Sequence, residues 1–214
     1  MNEIQLHRWI NEKKGRRAVK NLKKNGFQAH FTQNCEEAVN LVLKMVKTAN
    51  SFGFGGSATT RHLDLPGILA RNGKTVYDHW NPPAGASDIE IRMNQGRSDC
   101  FICSANAISE TGEIINVDGA GNRTNAMTFG CPKVIVIAGI NKVTPDVESA
   151  FRRIREIAAP MRAKSLDMDT PCAKNGVCTD CSAPQRICRI TLILHRKPMM
   201  TDITVIIINE ILGF

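Results

Sequence analysis

Four cysteines crowded into one short run carry the clearest chemical signal in this chain. Cys172, Cys178, Cys181 and Cys188 follow the spacing C-x5-C-x2-C-x6-C within the segment 171–189. A C-x2-C turn lets two thiolates grip one centre, and Gly176 and Pro184 let the flanking chain fold back to bring up the outer pair. Four thiolates leave a negative centre, which Lys174, Arg186 and Arg189 are placed to offset. Structural zinc usually draws its ligands from two separated knuckles, whereas ferredoxin-like segments gather them from one run. An iron–sulfur cluster is therefore the preferred expectation and zinc the alternative; free or disulfide-linked thiols are the bland reading. Cys100 and Cys103 also read C-x2-C, but in a strand side chains three apart point to opposite faces and cannot share a metal. Those two, with Cys35 and Cys131, are expected in the core.

Away from the cysteines, the residues suited to chemistry are ones that hold anions. Gly55, Gly56 and Ser57 follow a strand-like stretch and precede helical sequence. Their amides, with the hydroxyls of Ser57, Thr59 and Thr60, form a cradle for a phosphate or carboxylate. The loop matches neither the P-loop spacing nor the dinucleotide fingerprint, and many such loops only turn the chain. Glu110 lies in a tight Ser109–Gly112 turn between apolar Ile108 and Ile114, a setting for a nucleophile or general base, or simply for a surface acid. Asn122, Arg123 and Asn125 add a guanidinium and two amides. Asn141 and Lys142 follow an apolar strand, where open α/β sheets present ligand groups. A functional reading requires Gly56, Glu110 and Arg123 to converge on one cavity.

The elements that position these residues alternate. A basic helix over residues 1–26 stops near Gly26, with Leu6, Trp9, Ile10, Val19 and Leu22 as its expected buried face. Phe27–Phe31 reads as a strand, Asn34 and Glu37 as the start of a helix, and Ser51–Phe54 as a strand. A helix over Pro66–Arg71 and strands at Lys74–Asp78, Cys100–Ser104 and Glu113–Val117 come next. Gly119–Arg123 reads as a polar loop and Lys133–Ala138 as a buried central strand. Thr144 and Pro145 open a helix expected to end at Pro160, and strands at Ile190–Leu194 and Ile203–Ile208 complete the pattern. This rhythm predicts a three-layer α/β/α fold with a mainly parallel sheet, in one domain over residues 1–214, plus the small cysteine-rich segment.

Composition narrows the class. An apolar fraction of 43% and a charged fraction of 22% exclude disordered and fibrous chains. No apolar stretch approaches the roughly 20 residues of a membrane span, and no secretory signal is visible, so a cytoplasmic protein with reduced thiols is expected. The net charge of +8 concentrates in residues 1–26, which hold eight basic side chains against two acidic ones. Lys13, Arg17, Lys20 and Lys24 recur at helical spacing and read as a solvated face. No base-stacking aromatics interleave them, which argues against nucleic acid.

Together, Phe54–Ser57, Ser109–Gly112, Gly121–Arg123, Ala138–Lys142, the cysteine block and Glu210–Gly213 resemble the lactate-utilisation (LUD) domain family. The resemblance implies a fold like that of the sugar-phosphate isomerase and coenzyme A transferase superfamily. In those transferases a similar Ser-Glu turn carries the catalytic glutamate, which maps the role onto Glu110, with Thr111 standing where they have asparagine. The family is associated with oxidation of lactate to pyruvate, some members acting beside iron–sulfur partner proteins. Two functions are expected from this. One is an enzyme, or enzyme subunit, acting on a small organic acid held by the glycine loop, Arg123 and Lys142. The other is a non-catalytic regulatory or electron-transfer subunit. A homodimer is the default assembly.

Overall fold

Local signals become elements where the side chains supply the missing hydrogen bonds. In the computed structural model, which describes residues 1–214, Asn2 and Gln5 cap each other's backbone at the start of α1 (Glu3–Lys24). Helix α2 (Cys35–Met45) starts at Asn34, whose side chain accepts from the Glu37 N–H at 2.8 Å. Strand β1 (Gln28–Thr32) lies between them, and β2 (Ser51–Phe54), α3 (Ala58–His62), α4 (Leu65–Arg71) and β3 (Thr75–Asp78) follow. Next come α5 (Asp88–Gln95), β4 (Cys100–Cys103), β5 (Ala107–Ser109), β6 (Ile114–Asp118), α6 (Asn122–Thr128) and β7 (Lys133–Gly139). The chain closes with β8 (Val143–Thr144), α7 (Val147–Arg153), α8 (Ala159–Ser165), α9 (Pro171–Asn175), β9 (Ile190–Leu194) and β10 (Asp202–Ile208).

Six strands in the order β1-β10-β7-β4-β2-β3 make one wholly parallel sheet. Its central strands are apolar on both sides because both sides are covered. Ile135, Ile137, Ile206 and Ile208 face Val42 of α2 and Leu69 of α4. Val134, Val136, Val205 and Ile207 face Leu22 of α1 and Met127 of α6. Cys100 falls in the first of these cores and Cys103 in the second, the opposite-face placement that strand geometry requires. Over the second face lies a smaller mixed sheet, β8-β5-β6-β9, whose β5–β6 hairpin turns through Ser109–Gly112. Ala150 of α7, Ile154 just after it and Ala159 of α8 pack on its outer side. The fold is the expected α/β architecture, with this small sheet inserted into one covering layer.

Four local expectations are corrected. Leu6, Trp9 and Ile10 are exposed, and only Gly15, Ala18 and Leu22 of α1 are buried. A helix of 22 residues spans about 33 Å at 1.5 Å per residue, while the five-residue β1 beside it covers roughly half of that, so the N-terminal turns overhang the sheet. Helix α7 begins after Asp146, whose side chain accepts from the Ser149 N–H at 2.7 Å, while Thr144 belongs to β8. Pro160 does not stop the helix. A π-helical turn over Ile154–Ala158 precedes it and opens the backbone bonding there, so the missing N–H is absorbed and α8 runs on to Ser165. Gly119–Arg123 is loop only as far as Gly121, because α6 begins at Asn122.

Candidate functional site

The carboxyl ends of β2, β3 and β4, the end of β6 and the turn after β7 surround a cavity of about 510 Å³, where open parallel sheets place their ligands. Gly56 and Ser57 come from the loop after β2, His79 and Trp80 from the loop after β3, and Ser104 and Asn106 from the loop after β4. Asp118, Asn122 and Arg123 form a second wall, and Lys142 closes the floor. Ala158, Arg162 and Leu166 line it from the π turn, α8 and the residue after it; Ile187 of the cysteine-rich segment and Phe214 complete the rim.

Lys142 is 4% exposed. Its Nζ donates to Thr59 Oγ1 and Ser104 Oγ, each at 2.9 Å, and no carboxylate pairs with it. Burial, aided by the nearby Arg153 and Arg123 cations, pushes its pKa down to about 7. Arg162 also lacks a carboxylate partner; its guanidinium lies 4.5 Å over the Trp80 ring, with Arg61 at 4.8 Å from the same ring. Arg61 itself is held by Asp78. Burial pushes the Arg162 pKa down as well. Burial and the Arg92 charge bring His79 down to about 4, so its ring is neutral at pH 7; its Nδ1 lies 2.8 Å from Gln95 Nε2. The cavity has one lining side-chain carboxylate, Asp118, and it is spent: it accepts from Arg123 Nε and from the Thr124 N–H, both at 2.9 Å.

The residues singled out from sequence separate accordingly. Gly56, Ser57, Asn122, Arg123 and Lys142 line the cavity. Gly56 is bare because a Cβ there would meet the Trp80 indole at 3.2 Å. Ser57 spends its hydroxyl capping α3 through the Thr60 N–H. Arg123 is a clamp: besides Asp118 it donates to Asn106 Oδ1 at 2.8 Å and to the carbonyls of Ser104 and Val117. Gly55, Thr59, Thr60, Asn125 and Asn141 stand behind the lining. Thr59 supports Lys142, and Asn141 accepts from the Leu212 N–H at 3.1 Å.

Glu110 is not brought to this cavity, which corrects the expected convergence. The Ser109–Gly112 turn docks instead against α1. Arg17 Nε reaches Glu110 Oε2 at 2.6 Å, and Asn21 Nδ2 donates to the Glu110 carbonyl at 2.7 Å. Gly112 has φ +97° and passes so close to Asn21 that a Cβ would lie 2.6 Å from its backbone. The turn is an anchor for the basic helix, and part of the charged stripe is thereby consumed. His79, Trp80, Ser104, Asp118, Arg162 and Phe214 are site residues that the sequence reading misses. The carboxyl end of β3 carries a usable signal, since Asp78-His79-Trp80 sits where a parallel sheet presents its ligand groups; Asp118 ends β6 of the small mixed sheet, where that rule gives none. Arg162 has no such signal, lying beyond a proline that reads as a helix stop.

The four cysteines of the C-terminal block line one small void of about 30 Å³ together with Ala159, Ala163 and Arg186. Arg186 donates to the carbonyls of Cys181 (2.6 Å) and Cys188 (2.7 Å), tying the loop around itself. The Cys188 thiol is pushed up by burial, with the Arg186 charge acting against it and the other three thiols adding to the rise. All four are free thiols, and as the side chains stand no three ligating groups in the protein meet at metal-binding distance.

A parallel sheet covered by helices, with a cation-lined cavity at its carboxyl edge, places the chain among the open α/β folds. The chain belongs to the LUD domain family, whose profile matches residues 15–208. The crystal structure of a DUF162 family protein from Deinococcus radiodurans is similar over 92% of this chain and 98% of that one, with a TM-score of 0.56 and 12% identity. At that identity the likeness shows the fold alone. The structure of ribose 5-phosphate isomerase A from Methanocaldococcus jannaschii overlaps 62% of this chain and 64% of its own, at 19% identity and a TM-score of 0.33. No curated protein matches the sequence. No helix is long and apolar enough to cross a membrane.

Proposed function

We propose that this LUD-domain protein binds a small organic anion in the 510 Å³ cavity and acts on it as an enzyme of organic-acid metabolism. One observation carries the reading: Lys142 and Arg162 both line the cavity and neither has a carboxylate partner. Two basic groups without ion-pair partners on one cavity draw in an anion that supplies the missing charge. Lys142, with a pKa near neutrality, is the group able to give or take a proton there, and Trp80 and Phe214 offer apolar surface to the ligand body. Arg123, Asp118 and Asn106 hold the wall in shape. Glu110 has no place in this mechanism.

The test is titration calorimetry with 2-hydroxybutyrate and with phosphate at near-physiological salt. Arg162→Ala and Lys142→Met are each expected to weaken binding at least tenfold. Binding by neither anion, or equal binding by both variants, would refute the proposal.

A second reading assigns the cysteine nest a metal, with Cys172, Cys178, Cys181 and Cys188 as ligands. The donor set, four thiols around one void with a guanidinium beside them, fits an iron–sulfur cluster or zinc. A cluster would supply one-electron chemistry and zinc a structural staple; an electron-transfer or regulatory subunit is the corresponding function. Anaerobic purification with iron, sulfide and zinc analysis separates these, and protein retaining none of the three would count against a metal.

A further inference from the structure

The surroundings of Lys142 suit covalent chemistry better than charge neutralisation alone. Lys142 is buried and lines the cavity, and its Nζ is held by two hydroxyls, Thr59 and Ser104, whose oxygens lie 3.5 Å from each other. No side-chain carboxylate pairs with the amine, since Asp118 is committed to Arg123 and the Thr124 N–H. The same cavity presents Arg162, so a ligand's charged end and its reacting carbon have separate receptors. We propose that Lys142 forms an imine with the carbonyl group of an organic anion whose charged end is held by Arg162. This rests on the anion-cavity reading above and adds the substrate class: a carbonyl compound bearing a carboxylate or a phosphate.

The step balances without an oxidant. The Nζ lone pair adds to the carbonyl carbon, and the π pair moves onto oxygen, which takes up a proton. Loss of water, carrying the carbonyl oxygen and the two hydrogens of the amine, leaves the C=N bond; readdition of water reverses it. The Ser104 hydroxyl, which lines the cavity beside Nζ, is placed to pass protons to and from the departing oxygen, with Thr59 holding the amine from behind. At pH 7 an amine with a pKa of about 7 has about a thousandfold more free base than a solvated lysine, so the reaction selects this residue.

The intact protein, incubated at pH 7 with cyanoborohydride and either 2-oxobutyrate or dihydroxyacetone phosphate, traps the imine as a stable secondary amine. The expected product gains the mass of the ligand less one oxygen. Peptide mapping should place it on Lys142 at least tenfold above any other lysine, and which probe labels tells the carboxylate arm from the phosphate arm. Excess 2-hydroxybutyrate, which has no ketone or aldehyde group, should compete without forming an adduct. Arg162→Gln should lower labelling about tenfold and leave its position unchanged. Labelling absent with both probes, or spread evenly over surface lysines, overturns the proposal. Calorimetry on the same samples separates the two readings: binding heat without an adduct sinks the imine alone, and no heat with any anion sinks both.

Discussion

Replacing Lys142 by methionine should stabilise the protein, and by less as the pH rises. The lysine carries its proton up to about pH 10.5 in the unfolded chain but only to about pH 7 in the fold. Below pH 7 both states are protonated and the cost of burying the charge is present in full. Between pH 7 and 10.5 the unfolded chain binds the extra proton, so the wild type gains stability as the pH rises, by up to about 1.4 kcal/mol per unit. The advantage of Lys142→Met should therefore fall by about 2 kcal/mol between pH 7.5 and pH 9, and by under about 1 kcal/mol between pH 6 and pH 7.5. Urea unfolding of both proteins at these three values measures it. Taking the difference between the two cancels the buried cysteines and every other titrating group they share. A difference that stays flat from pH 6 to pH 9 would show that the lysine is an ordinary hydrated ammonium, and the reasoning about the cavity's charge would go with it.

Other consequences are as direct. Asp118→Asn strips Arg123 of its buried counter-ion and should cost about 3–5 kcal/mol in chemical denaturation. Glu110→Gln breaks only the pair with half-exposed Arg17; it should cost under about 1 kcal/mol and leave anion affinity unchanged in calorimetry. Lost binding in that variant would restore Glu110 to the site. Gly56→Val pushes a side chain into the Trp80 indole and should weaken anion binding about tenfold while shifting tryptophan emission. Cys181→Ser should lower the metal content found after anaerobic purification without altering the far-ultraviolet circular dichroism spectrum.

The parallel sheet was legible because its strands are short apolar runs between capped helices, and Asn34, Ser51–Phe54 and Lys133–Ala138 mark that rhythm plainly. Where one residue could satisfy two geometries, local pattern misled. Pro160 reads as a stop, yet a π turn absorbs it; Trp9 reads as core, yet the helix outruns the sheet it packs on. The glycine loop, Arg123 and Lys142 stand out because they come directly after strands. Glu110 is misplaced because a hairpin turn carries no information about which element it will meet, and Arg17 and Asn21 of α1 decide that. The depressed basicity of Lys142 is hidden altogether. It depends first on burial and then on Arg153 and Arg123 lying near, which only the folded chain reveals.

Helix α8 and the π turn before it form the partition between the two compartments: Ala158 and Arg162 line the larger cavity, while Ala159 and Ala163 line the void of the four thiols. The wall is one helix thick, about 10 Å, and its thiol side is built from methyl groups. Ile187, flanked by Arg186 and Cys188, touches both rooms. Whatever tightens, fills or oxidises the sulfur side must therefore lean on the backbone that aims Arg162. Neither compartment can be remodelled in evolution or in the laboratory without the other registering the change.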